Sequence, residues 1–137
     1  MPDEKDMWRE NWLDSINELT DFELQKKSWL NKKNKNPHWS FIEFISCYFD
    51  DLLIEDFGYE HFLEKKWLTR EEYLSIKNWH EELSNYKSPK NDDYNHQAIL
   101  SDKDWKRIVL LGFNSKEALY KLISEEEKRI LLKKLTT

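Results

Sequence analysis

The chain has 137 residues, of which 39% are hydrophobic, 36% charged and 15% aromatic, and its formal net charge is −5 at pH 7. This length fits a single domain, and the aromatic content, which includes seven Trp, excludes an intrinsically disordered chain. A single cysteine, Cys47, excludes an internal disulfide. The sequence shows neither an apolar signal core nor a run long enough to span a bilayer, so we expect a cytoplasmic protein.

The composition favours helices over strands. Only two Gly and three Pro occur, and β-branched residues are sparse, so the residues that hairpins and sandwiches require are missing. Leu, Glu and Lys, which are good helix formers, are abundant. We therefore predict an all-α fold, a compact single-domain bundle of about six to eight helices that spans residues 1–137 and is built around a central aromatic-rich helix.

Helix starts are marked by a recurring pattern. A Ser or Thr is followed three residues later by an acidic residue, and an apolar stripe with helical spacing comes next. The hydroxyl and the carboxylate can then satisfy the free backbone N–H groups of a helix N-terminus. The pattern occurs at Thr20 and Glu23, Ser40 and Glu43, Thr69 and Glu72, Ser101 and Asp104, and Ser124 and Glu127.

These starts and the apolar spacing predict eight helices. In chain order they cover Asp6–Leu19, Asp21–Lys32, His38–Ile54, Tyr59–Lys66, Arg70–Tyr86, Asp102–Leu111, Lys116–Ile123 and Glu125–Leu135. Breaks are expected at residues 34–37, 57–58, 87–95 and 112–115, where Gly112 suits a left-handed helix end. The third helix is apolar around most of its circumference, so we expect it to be the central one.

The densest basic segment is too short to indicate a nucleic-acid-binding protein. It consists of Lys26, Lys27, Lys32, Lys33 and Lys35, and acidic segments flank it on both sides. Binding to phosphates requires a larger cluster of Lys and Arg, whereas lysines at a helix C-terminus are common because they complement the helix dipole. We therefore predict no nucleic-acid partner, and the lack of a long apolar run predicts no membrane partner.

Motifs of the common catalytic sites are absent from the sequence. It contains no Gly-rich phosphate loop, no Gly-x-Ser-x-Gly elbow, no His-Glu-x-x-His and no Cys pair for zinc. Cys47 lies inside a predicted helix and is expected to be a packing residue. The histidines are His38, His61, His80 and His96, and the one-turn spacing of His61 to Glu64 and of Asp93 to His96 leaves a metal site as an alternative. We predict no catalytic, cofactor-binding or metal-binding residues.

An acidic segment is the strongest candidate for a binding surface. Residues 43–64 contain seven Asp or Glu and no Lys or Arg, and Phe57, Tyr59 and Phe62 lie among them. Carboxylates steer a basic partner at long range, and aromatic side chains supply short-range binding energy. The predicted partner-binding residues are Asp50, Asp51, Glu55, Asp56, Tyr59, Glu60 and Glu64. A solvated surface that keeps the protein soluble is the alternative.

A second acidic and aromatic cluster would extend this surface if the fold brings the two together. It consists of Asp92, Asp93, Tyr94, Asp102, Asp104 and Trp105. The sequence does not decide whether the two clusters meet.

The second half of the chain resembles a family of small bacterial proteins. The similar positions are residues 68–73, Trp79, His80, Leu83, Tyr86, Pro89, residues 92–94, residues 99–102 and Trp105. The family comprises the immunity proteins of contact-dependent inhibition and related polymorphic toxin systems. The resemblance implies a small cytoplasmic protein that neutralises a cognate toxin domain, frequently a basic nuclease, by occluding its substrate site.

The sequence leaves three other functions open. A non-catalytic helical adaptor or regulatory subunit would present an exposed apolar patch as its contact surface. An enzyme would require His61, Glu64, His80 or His96 to converge in one pocket. A DNA mimic would require a continuous acidic stripe, which the lysine-rich segments interrupt.

Overall fold

The computed structural model describes residues 3–31 and 40–133, which fold into α-helices joined by short connections and contain no strand. The predicted all-α bundle is thus confirmed. The helices are α1 (Glu4–Leu19), α2 (Phe22–Trp29), α3 (Phe41–Phe49), α4 (Ile54–Glu64, interrupted at Gly58), α5 (Arg70–Asn85), α6 (His96–Ser101), α7 (Lys103–Tyr120) and α8 (Glu125–Leu131), with a 3₁₀ turn at Pro89–Asn91.

Three of the five predicted helix starts are confirmed by their hydrogen bonds. The hydroxyls of Ser40, Thr69 and Ser124 each accept a hydrogen bond from the backbone N–H three residues later. The other two predictions are off by one residue, because Asp21 caps α2 and Asp102 caps α7. An aspartate is as good a cap as a serine or threonine, so the pattern alone does not separate adjacent candidates.

The predicted break at residues 112–115 is wrong, since α7 continues through Gly112. Gly112 is buried there, and a Cβ atom at this position would lie 2.6 Å from Nε1 of Trp79 on α5. The glycine therefore allows a close approach of two helices and does not end one. The short helix α6 was not predicted, and it directly follows the break expected at residues 87–95.

We expect Gly112→Ala to destabilise the protein. Helix propensity alone favours alanine by about 1 kcal/mol. The added methyl, however, would lie 2.6 Å from the fully buried Trp79 ring and 2.7 Å from Cγ2 of Thr20, so α5 and α7 must move apart. Overpacking of this kind costs about 1–3 kcal/mol, and we expect a net loss in urea denaturation. Asn114→Ala, on the exposed side of α7, is the matched control and should cause no loss. Unchanged stability of Gly112→Ala would show that the two helices separate easily.

The central helix is α1 rather than the predicted third helix. It packs against α2, α3, α7 and α8, and Trp12, Leu13 and Ile16 on it are fully buried. The third helix is shorter than predicted: it ends at Phe49, and Leu53 adopts a left-handed conformation with φ 61°. Its apolar circumference has another explanation, because Ile45 is only partly buried against the core and also lines a surface groove. Residues 38–39, the end of the second predicted helix at Lys32 and the end of the last at Leu135 lie outside the described residues.

A buried ion network joins three helices of the bundle. The guanidinium of Arg9 on α1 donates two hydrogen bonds to Glu72 on α5, two to Glu127 on α8 and one to the carbonyl oxygen of Trp67. Glu72 also accepts from the backbone N–H of Thr69 and closes the capping box of α5. All five N–H groups of Arg9 are therefore used.

Candidate functional site

An open groove lies between α3, the start of α4, the C-terminal end of α5 and the loop that follows α5. Its volume is about 350 Å³. The floor is apolar and aromatic, the rim carries three carboxylates, and no Lys or Arg of the described chain lines it. The lining residues, which we call the acidic groove, are Phe41, Ile45, Phe49, Asp50, Glu55, Leu83, Ser84, Tyr86 and Asp93.

Two of the three rim carboxylates are held in place by neutral groups. Oδ2 of Asp50 accepts a hydrogen bond from the hydroxyl of Ser46 at 2.9 Å, and Oδ1 of Asp93 accepts one from Ser88 at 2.5 Å. A hydroxyl orients a carboxylate without neutralising its charge. The hydrogen bonds of Asp50 and Asp93 therefore orient the two carboxylates without pairing them with a cation.

The two acidic clusters of the sequence meet at this groove. Asp50 and Glu55 come from the first cluster, and Asp93 comes from the second. Burial raises the pKa of Tyr86, and a 2.8 Å hydrogen bond from its hydroxyl to Asp102 raises this pKa further. Asp93 and Asp104 also raise the Tyr86 pKa, so the electrostatic potential at this groove side chain is negative. The fold therefore brings the two acidic clusters together, which the sequence could not decide.

The remaining predicted carboxylates are exposed but lie outside the groove. Asp51 raises the pKa of the Cys47 thiol, which lies on the other side of α3. Glu60 forms a 2.8 Å salt bridge with Arg70, and this bridge offsets part of the Glu60 charge. Asp56 and Glu64 lie on the exposed face of α4. Glu55, Asp56, Glu60 and Glu64 are the exposed carboxylates of α4 on both sides of its break at Gly58, and we call them the α4 acidic face; Glu55 also lies on the groove rim.

Tyr59 was predicted as a contact residue, but it lies in the core. Only 4% of it is exposed, and its hydroxyl accepts a hydrogen bond from Nε1 of Trp12 and bonds to the hydroxyl of Tyr48. The break expected at residues 57–58 is present at Gly58, where φ is 73°. Sequence spacing does not show, however, which residues after the break face the core, and the prediction therefore placed Tyr59 on the acidic surface. Of the three aromatic residues in this segment, Phe57 is exposed, and Tyr59 and Phe62 are buried.

His80 extends the hydrogen-bonded group beneath the groove. Its Nδ1 lies 2.9 Å from the hydroxyl of Tyr48, and its ring packs 5.8 Å from the ring of Phe49 in the groove floor. Burial lowers the pKa of His80 to about 4, so the imidazole is neutral at pH 7. The side chain therefore supports Phe49 as a neutral packing residue.

His61 and His96 do not converge with His80. The ring of His61 stacks on Phe57 at 4.6 Å, and both ring nitrogens of His96 bond to backbone, at the N–H of Phe41 and the carbonyl oxygen of Trp29. His38 lies outside the described residues. Among residues 3–31 and 40–133, no group of three His, Cys, Asp or Glu side chains is arranged to hold a metal ion.

Cys47 is held in its protonated form. Burial raises the pKa of its thiol to about 12, and the neighbouring carboxylates of Asp51 and Glu18 add to the effect. A thiol reacts as a nucleophile only when it is deprotonated. This environment favours a packing role for the side chain.

Most of the residues that shape the groove could not be recognised from the sequence. Phe41, Ile45, Phe49 and Leu83 belong to apolar stripes, and a stripe does not show which members face solvent. Tyr86 could have been recognised as a groove residue from one feature of the sequence, because it ends a helical stripe just before the second acidic cluster. Which of these apolar residues line the groove depends on how α3 and α5, which are distant in the sequence, pack together.

Comparisons with known proteins give no match: no protein-family model, no curated protein and no solved structure matches the chain. Within residues 3–31 and 40–133, no helix has the length and apolarity needed to cross a membrane.

Proposed function

We propose that this chain is a non-catalytic, cytoplasmic immunity-type inhibitor, which binds and neutralises a cognate, basic and nuclease-like toxin domain. The observation that carries the proposal is the acidic groove, where carboxylates from both acidic clusters surround an apolar and aromatic floor. This combination suits a basic protein surface, because charge guides the encounter and buried aromatic contacts supply the affinity.

The groove has the chemistry to receive one long basic side chain of the partner. The aliphatic stem of a Lys or Arg would pack against Phe49 and Leu83, while its charged head would approach Asp50, Glu55 and Asp93. The α4 acidic face would continue the contact beyond the groove. Negative charge then occupies the site where a nuclease binds the phosphates of its substrate.

The proposal is tested by reversing the charge of the groove rim. We expect the triple substitution Asp50→Lys, Glu55→Lys and Asp93→Lys to abolish co-purification with the protein encoded immediately upstream, and to abolish protection against it. All three side chains are exposed, so the helical circular dichroism signal should be unchanged. Loss of three attractive rim charges, with like charges put in their place, costs an interface several orders of magnitude in affinity.

A matched control separates the groove from net charge. The triple substitution Glu10→Lys, Glu71→Lys and Glu126→Lys changes the net charge equally at exposed positions that do not line the groove, and should retain a one-to-one complex. Equal loss in both variants would contradict the groove as the binding site. Retained binding by the groove variant would overturn the proposal.

The alternative is a helical adaptor or regulatory subunit. An exposed apolar surface on α7 favours it, because adaptors bind partners through such patches. The groove variant distinguishes the two functions, since an adaptor that uses α7 keeps its partner when the groove rim is reversed.

A further inference from the structure

The helix α7 is amphipathic on its solvent-facing side as well as on its buried side. Its outer stripe runs through Lys106, Leu110, Phe113, Glu117 and Lys121, which follow the spacing of one helix face. Leu110 is 63% exposed and Phe113 is 46% exposed. Two large apolar side chains thus stand next to each other in the middle of a well-packed helix.

Two hollows flank Phe113 on this outer face. One, of about 320 Å³, lies beside Leu110 and is backed by Phe22; the other, of about 420 Å³, lies beside Tyr120 and is backed by Leu132. The α7 residues that line the two hollows are centred about eight positions apart, which corresponds to about 12 Å along the helix axis. We call these hollows together with Leu110 and Phe113 the α7 apolar face.

The charges at the two ends of the α7 apolar face are positive. Lys106 lines the first hollow, and Lys121 lines the second, at opposite ends of the outer stripe. Lys116 turns inward and donates to Oδ1 of Asn17, so its ammonium group is engaged by the core. Glu117 is the one acidic residue that lines either hollow in the described chain.

We propose that the α7 apolar face docks an acidic amphipathic helix of a second protein partner. Two apolar side chains of that helix, spaced by seven residues or about 10.5 Å, would fill the hollows on either side of Phe113. Carboxylates at its two ends would approach Lys106 and Lys121. A second copy of this chain fits less well, because a symmetric pairing of the two faces places these lysines close to those of the copy.

This surface is distinct from the acidic groove, since no residue lines both. The two surfaces also have opposite charge requirements: the groove accepts a basic partner, and α7 accepts an acidic one. The chain could therefore hold two different proteins at once, and the α7 contact does not depend on the proposed inhibitor function.

The test uses the full chain and two synthetic helical peptides labelled with fluorescein. Both have Leu at positions that match the two hollows; one carries Glu and the other carries Lys at all flanking positions. We expect the acidic peptide to bind at least about tenfold more tightly by fluorescence anisotropy, and less tightly as salt is raised. Phe113→Glu should abolish binding, whereas Phe57→Ser, at a similarly exposed aromatic residue of α4, should not.

Reversing the charges of the two lysines tests whether they set the preference for an acidic peptide. The double substitution Lys106→Glu and Lys121→Glu should reverse the preference, so that the basic peptide binds more tightly than the acidic one. Absence of binding by either peptide, or equal binding that Phe113→Glu does not alter, would overturn the proposal. Sedimentation equilibrium that shows a dimer broken by Phe113→Glu would also overturn it in favour of a second copy of the chain.

Discussion

Replacement of Arg9 by alanine is expected to cause a larger loss of stability than Gly112→Ala. Arg9 is 9% exposed, and its guanidinium binds two carboxylates, of which Glu72 is itself buried. Burial alone would lower the pKa of Arg9, but the hydrogen bonds to Glu127 and Glu72 outweigh it and hold this pKa above its usual value. Removing the cation leaves buried negative charge without a partner, which costs about 3–5 kcal/mol in urea denaturation.

The expected loss comes from the unpaired carboxylates, and a second variant tests this cause. Arg9→Met combined with Glu72→Gln and Glu127→Gln keeps the approximate volumes and removes all three charges, so it should be clearly more stable than Arg9→Ala. Arg70→Ala is the surface control, because it breaks the exposed pair with Glu60 and should change the stability little. An Arg9→Ala protein as stable as the wild type would show that water reaches the network.

The helices of this protein are encoded locally, and most could be predicted for that reason. The capping residues Ser40, Thr69 and Ser124 act on backbone groups within one turn, so sequence spacing is sufficient to find them. Gly112 could not be interpreted correctly, because the reason for a glycine there is the Trp79 ring on a different helix. Local chemistry predicts helix starts, and packing decides which glycines end helices.

The candidate site was predictable in its charge but not in its shape. The density of carboxylates identified Asp50 and Glu55, yet their meeting with Asp93 depends on how α3 packs beside the loop after α5. Arg9 gave no indication of its role, since its partners Glu72 and Glu127 are 63 and 118 residues away. Exposure of Phe113 was hidden in the same way, because its helix has two apolar stripes and only one is buried.

The titration of His80 should remove stability as the pH is lowered, while Glu18 acts in the opposite direction over nearly the same range. Burial lowers the folded-state pKa of His80 to about 4, below the ordinary value of 6.5, so the unfolded chain binds the additional proton between these values. The contribution to stability is complete above pH 6.5 and is lost as the pH falls towards 4. A shift of this size corresponds to roughly 2–4 kcal/mol.

Two substitutions with opposite effects test the sign of this linkage. His80→Gln should lower the slope of the unfolding free energy against pH between pH 4 and 7. Glu18→Gln should steepen it, because burial raises the pKa of Glu18 to about 7, with a further contribution from Asp14, and an acid of this kind loses stability as pH rises through the same range. The measurement is urea denaturation at each pH, together with NMR titration of the His80 ring. A His80 ring that titrates near pH 6.5 in the folded protein would disprove the linkage, and it would mean that water reaches the imidazole beneath Phe49.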